Sequence, residues 1–356
     1  MNDNWEVKKL IDVCNIQYGY AFDSSCFCDD NSYPQLIRIR DVVRGYSETF
    51  YKGNIPDGYF VDKGDYLIGM DGEFHIAPWQ SERALLNQRV CKISASDNNV
   101  AERFVYYKMS VVLKQIEDET PFVTVKHLSA KRLNQIKIPI PPLPEQSRIV
   151  EELDLLSNII EKKRQQLSEL DNLAQSIFYE MFGDPVTNEK GWDTRDFSKC
   201  YKLSSGDGLS AKNIIIGDFP VYGGNGIVGY HIDYNMDGEY IIIGRVGALC
   251  GNVRNVIGKA FITDNAFILS KNVENVNVYL MYLLKIHNLR QYAREAMQPV
   301  ISNTSLKNLR IILPPLNLQQ LFAQKIEAIE KQKVLIKQSI AETEELFNSR
   351  MDYYFS

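Results

Sequence analysis

The sequence predicts an α+β protein in which two α/β heads are joined by two long helices. The helices are expected to pair antiparallel as a coiled coil with a pseudo-twofold repeat. The proline pairs Pro141-Pro142 and Pro314-Pro315 each open a long helical pattern. These patterns end at Phe182 and Phe355, and the two copies have the same length from proline pair to final phenylalanine. A globular segment precedes each pattern, so the repeat indicates one function performed twice.

These landmarks give the predicted domain boundaries. The heads begin near Trp5 and Trp192, and the first head is the longer of the two, because Trp5 lies further from its proline pair than Trp192 does from its own. We predict a first head over residues 1–143, a first helix over 144–182, a linker over 183–191, a second head over 192–315 and a second helix over 316–356.

Composition indicates a soluble, cytoplasmic protein. Hydrophobic residues make up 45% of the chain and charged residues 24%, as in ordinary globular domains. No apolar run is long enough for a transmembrane helix, and residues 1–5 lack the basic and apolar regions of a secretion signal. Six scattered cysteines and four histidines do not form a zinc-binding pattern, and we expect no metal and no other cofactor.

The net charge of −5 is unevenly distributed. Residues 145–182 contribute −4 and residues 317–355 contribute −1, so the two heads together are neutral. Neutral heads can still present a local basic face, so the charge neither indicates nor excludes a nucleic-acid partner.

Both helical stretches carry a heptad seam and contain no internal glycine or proline. In the first, the seam is Ile149, Leu153, Leu156, Ile160, Lys163, Leu167, Leu170, Ala174, Ile177 and Met181. In the second, it is Phe322, Ile326, Ile329, Lys333, Ile336, Ile340, Thr343, Phe347, Arg350 and Tyr354. An ordinary pair of amphipathic helices would show the same pattern without the repeat.

The linker indicates how the helices pair. Nine extended residues reach about 30 Å, whereas a 38-residue helix spans about 57 Å. The second head is therefore held near the end of the first helix, and an antiparallel pair follows. In the symmetric register the numbers of facing residues add to 503, which places Lys163 opposite Ile340 and Lys333 opposite Leu170.

Each head reads as short strands followed by a helical patch. The first head is predicted to have a strand over residues 36–41 and a strand with its turn over 66–72, and the second to have the corresponding strand and turn over 238–247. Helical patches are predicted over 104–113 and 278–289. The glycines between 244 and 251 fit tight turns better than a nucleotide-binding loop, because their spacing matches neither phosphate-binding motif.

Motifs for catalysis are missing from the sequence. It has no Asp/Asn-Pro-Pro-aromatic loop of an amino-methyltransferase, no P-loop, no GxSxG and no nuclease cluster of carboxylates with lysine. Asp71, Glu73 and His75 could hold a metal, but the second head has Val246 and Ala248 at the aligned positions. We therefore expect no enzymatic activity from this chain alone.

The order of these features resembles the specificity subunit of type I restriction-modification enzymes. The residues that carry the resemblance are Ile138–Gln146, Phe182–Pro185 with Gly191-Trp192, Tyr222–Tyr230, Ile243–Gly247 and Leu313–Gln320. They extend over essentially the whole chain. One departure is Asn317-Leu318, which stands where the first copy has Pro144-Glu145, and it concerns only the symmetry of the helix starts.

The resemblance implies two target-recognition domains that each read half of a bipartite, asymmetric DNA site. It also implies that the helices fix the gap and dock two methyltransferase subunits, which in turn recruit motor-nuclease subunits. We expect DNA contacts from Arg38, Arg40, Arg44, Lys126, His127, Tyr222, Asn225, Tyr230, Arg245 and Asn303, any of which could be an ordinary surface residue. Partner contacts are expected near the helix ends, from Glu145, Gln146, Phe178, Phe182, Gln319, Gln320 and Tyr354. The aromatic residues among these could instead brace the fold internally.

Alternatives remain open at this point. A twin-headed scaffold that binds protein or glycan would have the same architecture without DNA binding. An orphan or decoy specificity subunit would serve methylation only. A fused methyltransferase or nuclease is disfavoured by the missing motifs.

Overall fold

The computed structural model describes residues 5–120, 126–294 and 298–355. The N-terminal residues 1–4, which contributed to the argument against a secretion signal, lie outside these ranges. The chain divides into two compact units, one of residues 1–162 with 340–356 and one of residues 163–339. Each unit contains one head and parts of both long helices.

The first unit has a head closed by pairing of its first and last strands. These strands, β1 and β11, run antiparallel, with Glu6 opposite Ile140. The strands are β1 Glu6–Lys9, β2 Cys14–Tyr18, β3 Phe27–Cys28, β4 Gln35–Ile37, β5 Phe50–Tyr51, β6 Phe60–Val61, β7 Tyr66–Gly69, β8 Ile76–Pro78, β9 Ala84–Leu86, β10 Val90–Ala95 and β11 Lys137–Ile140. One sheet has the order β2-β10-β7-β8 and a second has the order β3-β5-β4-β9-β6. The helices of this head are α1 Leu10–Val13, α2 Ile39–Arg44, α3 Glu102–Glu119 and α4 Ala130–Asn134.

The second unit repeats this plan with fewer strands. Its strands are β12 Thr194–Asp196, β13 Tyr201–Ser205, β14 Phe219–Gly223, β15 Gly226–His231, β16 Glu239–Gly244, β17 Val253–Ile257, β18 Phe261–Ile262, β19 Ala266–Lys271 and β20 Arg310–Ile312, and its short helices are α6 Phe197–Cys200 and α7 Asn277–Ile286. Strands β12 and β20 pair antiparallel, and the sheet β13-β19-β16-β17 has the same order as its counterpart in the first head. The heads differ in the second sheet, which here has three strands, β15-β14-β18.

The two long helices, α5 Leu143–Phe182 and α8 Leu316–Phe355, contain 40 residues each. In the second unit, Lys163 Nζ donates to Ser339 Oγ at 2.6 Å and Lys333 Nζ to Asp171 Oδ1 at 2.8 Å. In the first unit, Arg350 Nε lies 2.8 Å from Glu152 Oε1. The paired residue numbers add to 502 or 504, which confirms the antiparallel pairing and lies within one of the predicted 503.

The helix ends belong to the cores of the heads. In the first unit, Ile149 and Leu153 of α5 are buried with Phe355 of α8 against helix α3. In the second, Phe178 and Phe182 of α5 pack with aromatic rings of α7 and α8, at centroid distances between 4.8 and 5.8 Å. Each head is thus stabilised by the start of one long helix and the end of the other.

One predicted strand is wrong beyond Ile37. Residues 39–44 form helix α2, because the buried Asp41 carboxylate accepts the backbone N–H of Arg38 at 2.9 Å and the Ser47 hydroxyl at 2.9 Å. That carboxylate fixes a helix N-terminus. The strands predicted within 66–72 and 238–247 are confirmed as β7 and β16, and the helical patches as α3 and α7, of which α3 is longer than expected.

Candidate nucleic-acid interface

An open depression on the first head brings two of the predicted arginines together. Its lining is Arg38, Ile39, Arg40, Val43, Asp71, Gly72, Glu73 and His75. Arg38 precedes helix α2 and Arg40 lies in its first turn, and both side chains are exposed. Arg44, in the last turn of the same helix, is also exposed and lies only loosely against Glu48, at 3.9 Å. Helix α2 therefore presents three cations to solvent.

His127 lies next to this depression, because it contacts Asp71, which is one of the lining residues. The Nδ1 atom of His127 lies 2.5 Å from Asp71 Oδ1, and the two residues form an isolated antiparallel bridge. Arg89, which the sequence analysis did not select, lies with Nε 3.5 Å from Asp71 Oδ2 and Nη1 3.2 Å from His127 Nδ1. Nothing in the sequence near Arg89 marks it, because these three residues are brought together only by tertiary packing.

Lys126, one of the predicted DNA contacts, has partners within the head. Its ammonium donates to the backbone carbonyl of Glu117 at 2.7 Å and lies 3.6 Å from the Glu117 carboxylate. Both side chains are largely buried. A buried lysine that is paired with a carboxylate neutralises a charge inside the protein. Lys126 therefore links helix α3 to the following segment, and its ammonium is not accessible to a ligand.

In the second head, the predicted residues of the β14–β15 hairpin differ in exposure. Asn225 and Tyr230 are exposed, whereas Tyr222 is half-buried against the cluster around Tyr240. The neighbouring Ile227 and Val228 are also exposed, although both are apolar. Asn225 lines an open depression together with Leu209, Ala211, Ile214, Gly223, Gly224, Val228, Val246, Gly247, Thr263, Asn265 and Gln298.

Arg245 and Asn303 do not line this depression. The Arg245 guanidinium carbon lies 5.2 Å from the centre of the Phe267 ring, and its Nε is buried without a hydrogen-bond partner in the described part of the chain. Asn303 is exposed and donates to the Leu203 carbonyl at 3.3 Å. The structure therefore groups Asn225 and Tyr230 on one hairpin and leaves these two residues elsewhere on the head.

Two of the glutamines predicted to contact partners have hydrogen-bond partners within the chain. Gln146 and Gln319 are both buried, and each bonds within its own unit. Gln146 Oε1 accepts the backbone N–H of Ala101 at 2.7 Å, and Gln319 Oε1 accepts that of Val276 at 3.0 Å. A buried amide group must be hydrogen-bonded, and both glutamine amides form these bonds with groups of the same unit.

The aromatic residues at the helix ends also serve the fold. Phe178 and Phe182 are fully buried, and Tyr354 is buried with its hydroxyl donating to Glu152 at 2.6 Å. The internal role left open above is observed for all three residues, and their side chains are not accessible on the surface. Glu145 is partly exposed and paired with Arg148, whose hydrogen bond lowers the pKa of that carboxyl group. Of the predicted helix-end residues only Gln320 is fully exposed.

Several apolar residues on the outer faces of the helices are well exposed, and most of them were not named from the sequence. They are Leu155, Leu173, Leu321, Val334, Leu335, Leu346 and Tyr353. In the second unit, Leu173 and Leu335 line an open groove between the two helices. The residues lie off the heptad seam, which is the signal that could have identified them.

The described residues contain no group of three histidine, cysteine or acidic side chains arranged to hold a metal. His75 lies 3.0 Å from Glu73, whereas Asp71 is paired with His127. Of the three residues considered above as a metal site, Glu73 and His75 pair with each other and Asp71 pairs outside the set. No helix within the described ranges is long and apolar enough to cross a membrane.

The family model for the type I restriction modification DNA specificity domain matches residues 2–172 and 192–345. These matches cover most of the chain and place one copy of the domain on each head with its following helix. The chain belongs to this family.

Individual relatives agree with this assignment. The chain is 39% identical over 197 residues to the specificity subunit of the type I restriction enzyme EcoBI from Escherichia coli, covering 55% of this chain and 42% of that subunit. It is 28% identical over 198 residues to the specificity subunit of the type I restriction enzyme MjaVIII from Methanocaldococcus jannaschii, covering 49% of this chain and 44% of that subunit. The chain thus spans less than half the length of these curated relatives.

Solved structures show the same fold. The crystal structure of the S subunit of a type I restriction-modification system from M. genitalium matches with a TM-score of 0.58 and 15% identity, covering 100% of this chain and 97% of that chain. A second structure, described as the basis of complex assembly and conformational transition of the type I R-M system, matches with a TM-score of 0.57 and 17% identity, covering 100% and 98%.

Proposed function

We propose that this chain is the non-catalytic DNA-specificity subunit of a type I restriction-modification enzyme and acts in the cytoplasm. The observation that carries the proposal is the double match to the specificity domain, one on each head. In this function each head reads one half of a bipartite DNA site. The sequence also lacks the motifs of a methyltransferase or nuclease, so chemistry would come from partner subunits.

An asymmetric site follows from the difference between the heads. Their four-stranded sheets have the same order, but the second sheet has five strands in one head and three in the other. The first head presents Arg38, Arg40 and Arg44 on a helix, whereas the second presents Asn225 and Tyr230 on a hairpin. Different donors and acceptors at the base edges select different bases, so the two half-sites would differ in sequence.

The long helices would set the distance between the half-sites. A helix of 40 residues spans about 60 Å, and DNA rises about 3.4 Å per base pair, which limits the separation to about 17 base pairs. Heads that read the same face of the duplex would favour half-site centres about one helical turn apart. A fixed gap of unspecified bases is therefore the expected signature of the site.

Two methyltransferase subunits would bind the helices, and motor-nuclease subunits would join through them. Buried Gln146 and Gln319 are withdrawn from such contacts, whereas the off-seam apolar residues are accessible. Apolar side chains that are exposed in the free subunit contribute affinity when an interface removes them from water. Leu173 and Leu335 are therefore better candidates than the glutamines for contact with a methyltransferase subunit.

The experiment that tests this function is co-expression with the methyltransferase subunit of the same operon, followed by mapping of modified bases across the host genome. A split motif with a constant gap would support the proposal and define both half-sites. A stable complex without new methylation would point to a decoy subunit. Failure to form a complex, together with DNA binding that is insensitive to salt, would favour a twin-headed interaction protein instead.

A further inference from the structure

We infer that Arg89 is a base-reading residue of the first head, that the Asp71 carboxylate orients its guanidinium, and that it recognises a guanine in the half-site of that head. The inference rests on the proposed function and assigns one specificity determinant within it. Three neighbouring chain segments, a largely buried carboxylate and a backbone conformation carry the argument.

The backbone brings the three side chains together. The N–H of Met70 donates to the carbonyl of Arg89 at 2.9 Å, and the N–H of Leu128 donates to the carbonyl of Met70 at 2.7 Å. Gly72 N–H in turn donates to the carbonyl of Lys126 at 2.9 Å. The segment after strand β7 is therefore held between the turn that precedes β10 and the segment that contains His127.

The Asp71 carboxylate serves both neighbours. One oxygen lies 2.5 Å from His127 Nδ1 and the other lies 3.5 Å from Arg89 Nε. The side chain of Asp71 is only 20% exposed, whereas that of Arg89 is 51% exposed. The anion is thus anchored in the head and the cation extends from it into solvent, which limits the orientations available to the guanidinium.

The position of the imidazole proton decides whether His127 can accept a hydrogen bond from Arg89. An ionised carboxylate can only accept, so the short contact requires the proton of His127 Nδ1 to point at Asp71. Arg89 Nη1, 3.2 Å from the same Nδ1, then finds no acceptor in His127. A guanidinium that lies against a carboxylate and is still 51% exposed can offer its planar donors to a ligand with two acceptors.

The backbone conformation of Arg89 is also unusual. Within the described ranges three residues other than glycine have positive φ, and the other two, Asn188 and Asn288, are asparagines, which tolerate it. Arg89 has a φ of 71°, which is unfavourable for a long side chain with a Cβ. Strained conformations of this kind cluster at functional sites, where the surroundings hold them.

The chemistry of the arrangement selects guanine. Its O6 and N7 atoms form a pair of acceptors in the major groove, and a bidentate arginine is the commonest residue that reads them. Arg38 and Arg40, which line the adjacent depression with Asp71, would contact phosphates and position the head on the duplex. Arg89 would then contact the base, whereas Arg38 and Arg40 would contact the DNA backbone and fix the position of the head.

The test compares Arg89→Ala, Arg89→Lys and Arg83→Ala in the subunit co-expressed with its methyltransferase, with methylated motifs mapped genome-wide. Arg83 is a matched control, because it is an exposed arginine of the same head with a carboxylate partner, Asp62, and does not line the depression. We expect Arg89→Ala to relax one guanine position in one half-site by about 10- to 100-fold and to leave the other half-site unchanged. Arg83→Ala should leave both halves unchanged.

Arg89→Lys separates base reading from phosphate contact. Lysine keeps the charge but lacks the bidentate fork, so the guanine position should relax in this variant as well. Retention of that position in Arg89→Lys, or uniform weakening without any change in the motif, would overturn the inference and assign Arg89 to a phosphate. So would a half-site that loses selectivity at a position other than guanine.

Asp71→Asn tests the orienting role. It removes the anion without changing side-chain size, and we expect it to relax the same guanine position as Arg89→Ala. The circular dichroism and melting temperature of each purified complex would confirm that the variants fold. A wild-type motif that persists in all Arg89 variants would overturn this inference alone, whereas a wild-type complex without any motif would overturn the proposed function as well.

Discussion

Gln146 and Gln319, which occupy equivalent positions in the two copies of the repeat, perform the same buried task at the start of each long helix. The amide oxygen of each accepts the backbone N–H of the residue before a head helix, Ala101 before α3 and Val276 before α7, at 2.7 and 3.0 Å. The amide nitrogen of each donates to the carbonyl of the first proline in the Pro-Pro pair ahead of its helix, at 2.7 and 2.9 Å. One side chain thus joins the head, the proline segment and the long helix.

Removing either amide should destabilise its own unit. Gln146→Ala would leave one backbone N–H and two carbonyls without their partner, at a cost on the order of 2–3 kcal/mol. We expect a lower denaturation midpoint and faster hydrogen exchange confined to the first unit, and the same confined to the second unit for Gln319→Ala. Gln320→Ala, at an exposed neighbouring position, is the control and should change neither. Equal loss of protection in both units would contradict a local role.

The last residues of the two long helices, Phe182 and Phe355, are equivalent in the repeat, but different side chains cap their carbonyl groups. Lys108 Nζ donates to the carbonyl of Phe355 at 2.6 Å, and Trp192 Nε1 donates to the carbonyl of Phe182 at 2.8 Å. Lys108 is buried, and this burial lowers its pKa, yet its ammonium satisfies a helix end where positive charge is favourable.

Lys108→Met should therefore loosen the end of α8 without affecting the end of α5. We expect faster amide exchange over the last turn of α8 and a loss of stability of about 1–2 kcal/mol, because methionine fills the space but cannot donate. Trp192→Phe should instead speed amide exchange over the last turn of α5 and leave the last turn of α8 unchanged. The measurement is hydrogen exchange followed by mass spectrometry, and unchanged protection at residues 351–355 in Lys108→Met would refute the capping role.

His287 should make the second unit less stable in mild acid. It is buried after helix α7, and neither ring nitrogen has a hydrogen-bond partner in the described part of the chain. Burial lowers its pKa from the usual 6.5, and only Asp184 opposes this effect. The folded state therefore favours the neutral ring, and the unfolded state binds the extra proton first. Stability is complete above pH 6.5 and declines as the pH falls below it, by up to about 1.4 kcal/mol per unit.

His287→Phe removes this titration and should flatten the stability profile between pH 6.5 and 5. The measurement is the free energy of unfolding from denaturant titrations at several pH values. Gln320→Ala, which removes no ionisable group from an exposed position, is the control and should leave the slope of the wild type unchanged. A variant that keeps the wild-type slope would show that another group is responsible.

The sequence predicted the helices well because a heptad seam over ten positions defines both the element and its partner. The antiparallel direction followed from linker length and the register from the symmetry of the two copies, and the contacts of Lys163 and Lys333 agree with both to within one residue. The polar residues were less predictable. Gln146 resembled a surface residue, and its burial depends on the head packing against it. Likewise, the alternating residues that resembled a strand form helix α2, whose N-terminus is fixed by Asp41. The buried partner of Asp41 is Ser47, which lies outside the predicted strand.

Leu173 and Leu346, which are also equivalent in the repeat, are each 47% exposed on the outer faces of the helices, and we expect each to support one methyltransferase subunit. This prediction rests on the proposed function. Leu173→Asp places a charge in that contact, and burying an unpaired charge is costly, so one of the two subunits should be lost. Leu346→Asp should likewise remove one, and the double variant both. Because both leucines are exposed, the fold should be unaffected.

Native mass spectrometry of the co-expressed complex gives the stoichiometry directly. The expected ratio of methyltransferase to specificity subunit is two for the wild type, one for each single variant and zero for the double variant. Arg83→Ala, at an exposed position of the first head that is not a predicted partner contact, serves as a control that should retain two. If either single variant lost both subunits, binding of the two would be cooperative and the equivalence of the sites would fail. If the double variant kept both, the methyltransferases would dock elsewhere, and the partly exposed Glu145 near the start of α5 would be the next position to substitute.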